Sequence, residues 1–275
     1  PTIGWESDIR SFSRKDCQDF YNTHYRPDTA TLVVAGDVDE HSLLELIERH
    51  YGSMEKPQQA GVRRPVSELE AKPFVHRTKE FRLQIPSERW MIGWNAPPYR
   101  VYDHAVLHVA SQIMVRGRSS RLFKRLVIRD ELATDVRMSV SPFAHVSILE
   151  LSAVARQGIK AEAVAKVARE ELQLLAEVGP SEQELSKIKA RTELGFLSGL
   201  ETASGLAEQI GFGMAVTGDP AHAEVRLNEM REVTAADIQR VLTSVINAPS
   251  VALIARPKTR TGQARARKSK RGTAR

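Results

Sequence analysis

The fold of this chain is decided by the stretch FYNTHYRPDTATLVVAGDVD at residues 20–39. Its first part continues a helical stripe of aromatic residues, which Pro27 ends because proline donates no backbone hydrogen bond and clashes with the preceding turn. Residues 30–35 are then continuously apolar and rich in β-branched side chains, up to Gly36-Asp37. An apolar run of this length and composition predicts a buried strand.

Both flanks of this stretch predict helices. Ser13, with Asp16 three residues later, has the pattern of a capping box and begins the first helix. Asp39 begins the second helix, whose apolar residues recur at helical spacing as far as Gly52. Residues 10–52 are therefore predicted to form a helix, a strand and a helix.

The composition changes after this unit. Residues 53–73 have no periodicity and contain Pro57 and Pro65. We predict a linker over 53–73, with a domain boundary between residues 1–52 and a second domain at 74–256.

The second region mixes strand pairs with long helices. Strands are predicted at 79–85, 89–96 and 250–255, and a β-hairpin is predicted from residues 133–141 and 145–155. Helical patterns cover most of 103–113, 160–178, 182–198, 203–216 and 234–246. Because the strands do not alternate strictly with helices, this order predicts the α+β class.

Composition and the two chain ends narrow the class of protein. Of 275 residues, 41% are hydrophobic and 27% are charged, as in globular domains, and no run of 18 apolar residues indicates a membrane span. The chain opens at Pro1 with neither an initiator Met nor a signal pattern, so we expect a processed form or a fragment. Cys17 is the only cysteine in the sequence, so an internal disulfide is impossible, and we interpret it as an incidental thiol.

The net charge of +6 is concentrated at the C-terminal end. Residues 256–275 carry nine Lys or Arg and no acid, which leaves −3 for residues 1–255. Because this end has no bulky apolar side chain, we predict a disordered basic tail at 257–275. We interpret this tail as a solvated basic end, with binding to nucleic acid or an anionic membrane as the alternative. No aromatic residues interleave its charges as a nucleic-acid stacking platform needs.

The sequence resembles a known family in several places. The stretch at 20–39 resembles the phrase that closes the first domain of pitrilysin/insulinase-type zinc metallopeptidases. Residues 117–123, GRSSRLF, resemble a helix-turn-helix in that family's second, non-catalytic domain, and residues 201–206 and 233–238 resemble its later helices. The resemblance implies helices packed on one face of a mostly antiparallel sheet. It makes 1–52 the C-terminal remnant of a catalytic-type first domain and 74–256 the non-catalytic domain.

The family's catalytic residues are not matched here. Its members share His-x-x-Glu-His, in which two His one helical turn apart hold zinc and the Glu activates water. That motif is absent from this sequence, and the resemblance places it, with a distal Glu ligand, upstream of Pro1. The resemblance also puts a family Arg/Tyr pair at Val127 and Thr134, neither of which can replace those side chains. We therefore expect zinc in the intact family member, and no catalytic, metal or cofactor-binding residue in this chain.

Four local patterns suggest functional sites, but we interpret each of them as residues that stabilise helices, turns or the core. His104 and His108 lie one helical turn apart, but no acid between them and no third ligand accompany them. Ser119-Ser120 lacks a nearby base, and Gly211-Phe212-Gly213 lacks the Lys and the preceding strand of a phosphate loop. Trp90 and Trp94 share one strand face, and we interpret them as core or interface anchors, with peptide stacking as the alternative.

These observations predict the C-terminal portion of a zinc metalloendopeptidase that is inactive by itself. In the intact enzyme it would form part of the wall of the substrate chamber and the interface with the other half. Its expected partners are a peptide or protein substrate and the missing catalytic half or a partner subunit, in a homo- or hetero-oligomer without a membrane. The alternative is a non-catalytic partner or scaffold subunit of the same family.

Overall fold

One five-stranded sheet organises the computed structural model, which describes residues 4–54 and 75–258. Its strands, in spatial order, are β1 Arg77–Leu83, β5 Ser250–Pro257, β2 Arg89–Ala96, β4 Ser147–Ala155 and β3 Ala133–Val140. β1 and β5 are parallel, and the other three neighbouring pairs are antiparallel. The predicted α+β class with a mostly antiparallel sheet is confirmed.

Helices fill most of the remaining described chain. They are α1 Glu6–Ser11, α2 Arg14–His24, α3 Glu40–Tyr51, α4 Tyr102–Val115, α5 Ala161–Val178, α6 Glu182–Gly199, α7 Ala203–Thr217, α8 His222–Glu232 and α9 Ala235–Ile246, with a π-helical segment at Phe123–Arg129. Capping boxes begin α2 at Ser13 and α9 at Thr234, because in each case the cap hydroxyl accepts from the backbone N–H three residues later.

Strand β2 shows why the helices pack on one face of the sheet. Side chains alternate along a strand, so Trp90, Ile92 and Trp94 point to the same side, and all three are buried. Helices α5 and α9 contact β2 on that side, and α4 contacts β3 and α9. The two tryptophans are therefore core residues of this layer, as one of the two interpretations of the sequence expected.

The opposite side of the sheet, which we call the open face, keeps apolar residues partly exposed. One row of paired residues crosses all five strands on this face: Lys79, Leu253, Met91, Ser152 and Arg137. Leu253 and Met91 are half-buried, while Arg137 is exposed. Phe81 and Val154 belong to the next row and also keep part of their surface in solvent.

The structure divides into two compact units. Of the described residues, the smaller comprises 4–54 and 197–223, and the larger comprises 75–196 and 224–258. In the smaller unit, helices α1, α2 and α3 have no buried residue. The large buried apolar side chains of the described residues all belong to the larger unit.

The strand predicted at residues 30–35 is not formed. These residues are in no helix or strand, and Leu32 and Val34 are 58% and 42% exposed. The composition is that of a buried strand, but a strand also needs a neighbour to satisfy its backbone N–H and C=O groups. Within the described residues no neighbouring strand pairs with this run.

Two further predictions fall largely outside the described residues. The linker at 53–73 and the basic tail at 257–275 overlap them only at Ser53, Met54, Pro257 and Lys258. The division into domains at that linker therefore stays a prediction. Arg256, which the charge count placed with the basic end, lies inside strand β5.

Arg256 joins three elements of the larger unit through carboxylates. It contacts Glu80 on β1 at 2.9 Å, Glu88 ahead of β2 at 2.8 Å, and Glu162 on α5. Glu88 is buried and also accepts from the backbone N–H of Ala161 at 2.9 Å. Burial alone would raise the pKa of Glu88, but the Ala161 bond and the charges of Lys160 and Arg256 outweigh burial and lower it.

We expect Arg256→Gln to lower the free energy of unfolding by about 1–3 kcal/mol, because it leaves the buried Glu88 carboxylate without its guanidinium partner. Urea denaturation of the full chain, followed by tryptophan fluorescence, measures this change. Arg137→Gln is the matched control, since its ion pair with Asp135 is exposed and should contribute little. Equal losses in both variants would contradict a structural role for the Arg256 contacts.

Candidate functional site

Among the described residues of the larger unit, the most buried charged side chain is Arg226 on α8, which is 5% exposed. Its guanidinium contacts Glu229 at 3.2 Å, lies 4.8 Å from the ring centre of Tyr99, and donates to Nδ1 of His104. We call these four residues the Arg226 cluster. It ties α8 to α4 and to the segment ahead of α4.

The hydrogen bonds of His104 fix its protonation. A guanidinium can only donate, so Nδ1 of His104 accepts from Arg226 and carries no proton. The proton is therefore on Nε2, which donates to the backbone carbonyl of Ser141 at 3.0 Å. Both ring nitrogens are engaged, so neither has a lone pair available to a metal ion.

Electrostatics keep the same histidine neutral. Burial lowers the pKa of His104 to about 4, and the charge of Arg226 acts in the same direction against the bond to Ser141. Because His104 is buried beside a positively charged arginine, only its neutral form stabilises the fold. The Arg226 cluster is thus a structural lock between elements.

His108, one turn further along α4, is not part of this lock. It is half-buried, and burial, with the nearby positive charge of Arg226, lowers its pKa to about 4. The described residues contain no group of three His, Cys, Asp or Glu side chains that could hold a metal ion. The structure therefore does not build a metal site around the pair that the sequence singled out.

The Ser119-Ser120 segment forms a turn held by its own hydrogen bonds. The Ser120 hydroxyl is buried and donates to the carbonyl of Gly117 at 2.7 Å, and Ser119 accepts from Lys187. The next residue, Arg121, makes a two-pronged ion pair with Glu184 of α6 at 2.8 Å. This pairing lowers the pKa of Glu184 to about 2.

Of the two glycines that the sequence singled out in helix α7, Gly213 permits a close backbone approach. A Cβ on Gly213 would lie 2.6 Å from the carbonyl oxygen of Asp219, which real Cβ atoms do not approach, whereas one on Gly211 would meet Val33 at an ordinary 3.7 Å. A packing role explains Gly213 without a phosphate.

At the two positions that the resemblance gave to an Arg/Tyr pair, the side chains are engaged in core packing or in a backbone hydrogen bond. Val127 lies in the π-helical segment and packs against the core, and its carbonyl accepts from Arg156. Thr134 is exposed on β3, and its hydroxyl donates to the carbonyl of Val154 at 3.4 Å.

Sequence reasoning missed Arg226 altogether. Its only local signal is Glu229 three residues later, a spacing typical of an exposed ion pair on a helix surface. The partners that make it important, Tyr99 and His104, lie more than 120 residues away in sequence. No pattern within α8 indicates that contact.

The larger unit is an α+β unit with helices on one sheet face, and the residues that the structure describes include no group of three His, Cys, Asp or Glu side chains placed to hold a metal. Residues 11–192 match the profile of the Peptidase M16 inactive domain. The chain therefore belongs to the M16 family of zinc proteases, in its inactive C-terminal domain. The pitrilysin/insulinase resemblance is confirmed, since it describes this family.

Curated relatives agree with this assignment. The chain is 27% identical over 206 residues to the zinc protease PqqE of Helicobacter pylori, covering 74% of this chain and 46% of that protein. It spans about half the length of the curated relatives it matches.

Two crystal structures show the same fold. A protease from Helicobacter pylori has a TM-score of 0.84 at 24% identity, covering 93% of this chain and 62% of that one. A peptidase M16 inactive domain from Pseudomonas fluorescens has a TM-score of 0.76 at 16% identity, covering 92% and 60%. No helix of the described residues is long and apolar enough to cross a membrane.

We expect acid to destabilise the protein through His104. Because burial lowers its folded pKa to about 4 from 6.5, its stabilising contribution is complete above pH 6.5 and is lost as the pH falls towards 4. Between these two pKa values only the unfolded chain takes up the proton. The free energy of unfolding therefore falls by up to about 1.4 kcal/mol per pH unit. Urea midpoints measured from pH 8 to 4.5 give this slope.

His104→Gln should be less stable than the parent chain at pH 8 and should show a shallower slope below pH 6.5. His41→Gln is the control, because His41 is exposed on α3 and should leave both quantities unchanged. A parent slope unaffected by His104→Gln would show that other groups carry the acid sensitivity.

Proposed function

We propose that this chain is the non-catalytic portion of a zinc metalloendopeptidase, in which it forms part of the wall of the substrate chamber and the surface that meets a zinc-binding half. That half would carry His-x-x-Glu-His, on the same polypeptide or on a partner subunit, and would perform the hydrolysis. The observation that carries the proposal is the match to the inactive M16 domain in a sequence without the zinc motif.

The open face supports the role of chamber wall. An antiparallel sheet with one solvated face usually has polar side chains there. Here Phe81, Met91 and Leu253 give that face apolar surface, beside Asp135 and Arg137, in a shallow depression of ≈ 690 Å³. Apolar surface with a few charged groups suits contact with the varied side chains of a peptide.

The smaller unit supports the interface role. Its helices α1, α2 and α3 bury no residue, and Trp5, Phe12 and Phe20 are each about 60% exposed or more. The apolar run at 30–35 has the composition of a buried strand but no pairing strand among the described residues. A partner that supplies a neighbouring strand and a covering layer would satisfy both requirements.

Zinc itself would belong to the intact enzyme and not to this chain. His104 has both ring nitrogens engaged, and His108 has no acidic neighbour that completes a ligand set in the described part of the chain. Where a zinc-binding half supplies the metal, its water would be the nucleophile. This chain would hold the peptide in place.

The proposal predicts neither zinc binding nor hydrolysis by this chain alone, and hydrolysis once a zinc-binding half is added. Alone, the purified chain should hold no stoichiometric zinc by elemental analysis and cleave no peptide from a fluorogenic library. Mixed with a zinc-binding half, it should yield chelator-sensitive hydrolysis. Tight 1:1 zinc binding or hydrolysis by the chain alone would contradict the proposal.

Two controls make the outcome specific. His108→Gln should carry as little zinc as the parent chain, because His108 is not assigned a metal. A zinc-binding half whose motif glutamate is replaced by glutamine should abolish hydrolysis in the mixture. A stable complex that binds zinc and never cleaves would instead favour the alternative, a scaffold subunit that kept the fold and not the chemistry.

A further inference from the structure

A small polar cavity lies between α4 and α6 in the larger unit. Its volume is ≈ 230 Å³, and its polar lining comes from His108, Gln112 and Arg116 on one side and Arg191 and Thr192 on the other. One water molecule occupies ~30 Å³ of liquid. The cavity therefore has room for a phosphate- or carboxylate-sized group with some solvent, and is smaller than typical sites for drug-sized ligands.

The charge of this cavity is positive and uncompensated. No carboxylate is among its lining residues. Neither Arg116 nor Arg191 forms an ion pair with any described residue, whereas neighbouring arginines do, such as Arg121 with Glu184 and Arg231 with Glu193. Two guanidinium groups at one small cavity without an acid are the donor set that oxyanions favour.

The turn at Gly117 leaves room for the guanidinium of Arg191. Gly117 has φ +83°, and a Cβ there would lie 3.2 Å from Nη1 of Arg191. Any other residue at this position would be strained and would crowd the guanidinium. The glycine of the family-like motif at 117–123 thus lets Arg191 lie close against the backbone that follows α4.

His108 adds a neutral donor to the same cavity. Its ring forms no hydrogen bond with the described residues, and it is half-buried. Burial first, then the charges of Arg226, His104 and Arg116, lower its pKa to about 4. At neutral pH it is uncharged and can donate one N–H, so an anion bound here would stabilise its protonated form and raise that pKa.

We propose that this cavity binds an oxyanion, a phosphate or carboxylate group, held by the guanidinium groups of Arg116 and Arg191 with His108 as a third contact. The site lies between two helices and shares no lining residue with the depression on the open face, so it does not depend on the function proposed above. The two arginines recognise the charge and the paired oxygens of the ligand. Gln112 and Thr192 offer further polar contacts.

Calorimetric titration of the full chain with inorganic phosphate, and separately with acetate, tests the proposal. Sodium chloride at matched ionic strength is the blank for general screening. Saturable binding of either anion above the blank is expected, and the anion that binds tells a phosphate site from a carboxylate site. No saturable binding of either anion overturns the proposal.

Variants locate the bound anion. Arg191→Gln and Arg116→Gln should each weaken binding about tenfold or more, the loss expected for one charge-assisted hydrogen bond. Arg191→Lys should recover part of it, because it keeps the charge but not the planar fork. Arg118→Gln is the control. Arg118 is exposed, as Arg116 and Arg191 are, but it lines a different surface depression. An equal loss in Arg118→Gln would show non-specific attraction and would overturn the site.

Proton NMR of the histidine rings provides a readout that does not depend on affinity. Saturating anion should raise the pKa of His108, assigned by comparison with His108→Gln, while His104 keeps its own value because its ring is already bonded. An unchanged His108 titration under saturating anion would place the bound ion elsewhere and contradict the proposal.

Discussion

The larger unit depends on the burial of one face of its sheet. Strand β2 lies third of five, and its alternating side chains Trp90, Ile92 and Trp94 fill the space beneath α5 and α9. Full burial of one such side chain contributes roughly 1.5–3 kcal/mol, so this row and its neighbours on β4 and β5 supply the main stabilisation. The helices can then lie on this side only, which leaves the open face without a covering helix among the described residues.

Two arginines hold the edges of this layer in place. Arg226 fixes α8 against α4 through His104 and Tyr99, and Arg256 gathers Glu80, Glu88 and Glu162 where β1, β2 and α5 meet. Removing one member of such a group costs more than the contact itself is worth, because a buried charge is left behind. These groups explain why charged residues occur inside the larger unit.

Much of this architecture can be predicted from the sequence, because the signals are local. The capping boxes at Ser13 and Thr234 and the hairpin of β3 and β4 depend on neighbours within a few residues or across one turn. The parallel pairing of β1 with β5 and the role of Arg226 join residues more than 120 positions apart, and no short pattern specifies them. The prediction at 30–35 was wrong for a third reason: composition indicates a strand, but the pairing partner decides whether one forms.

The same run gives the most direct test of the account. In hydrogen exchange followed by mass spectrometry, the amides of residues 31–35 should exchange rapidly in the isolated chain, since they have no ladder hydrogen bonds within the described residues. On addition of a zinc-binding half of the family, the account predicts at least about tenfold slower exchange there, with partial protection of the open-face strands. Formation of a complex that leaves residues 31–35 unprotected would contradict the claim that this chain is one half of an enzyme completed by the other.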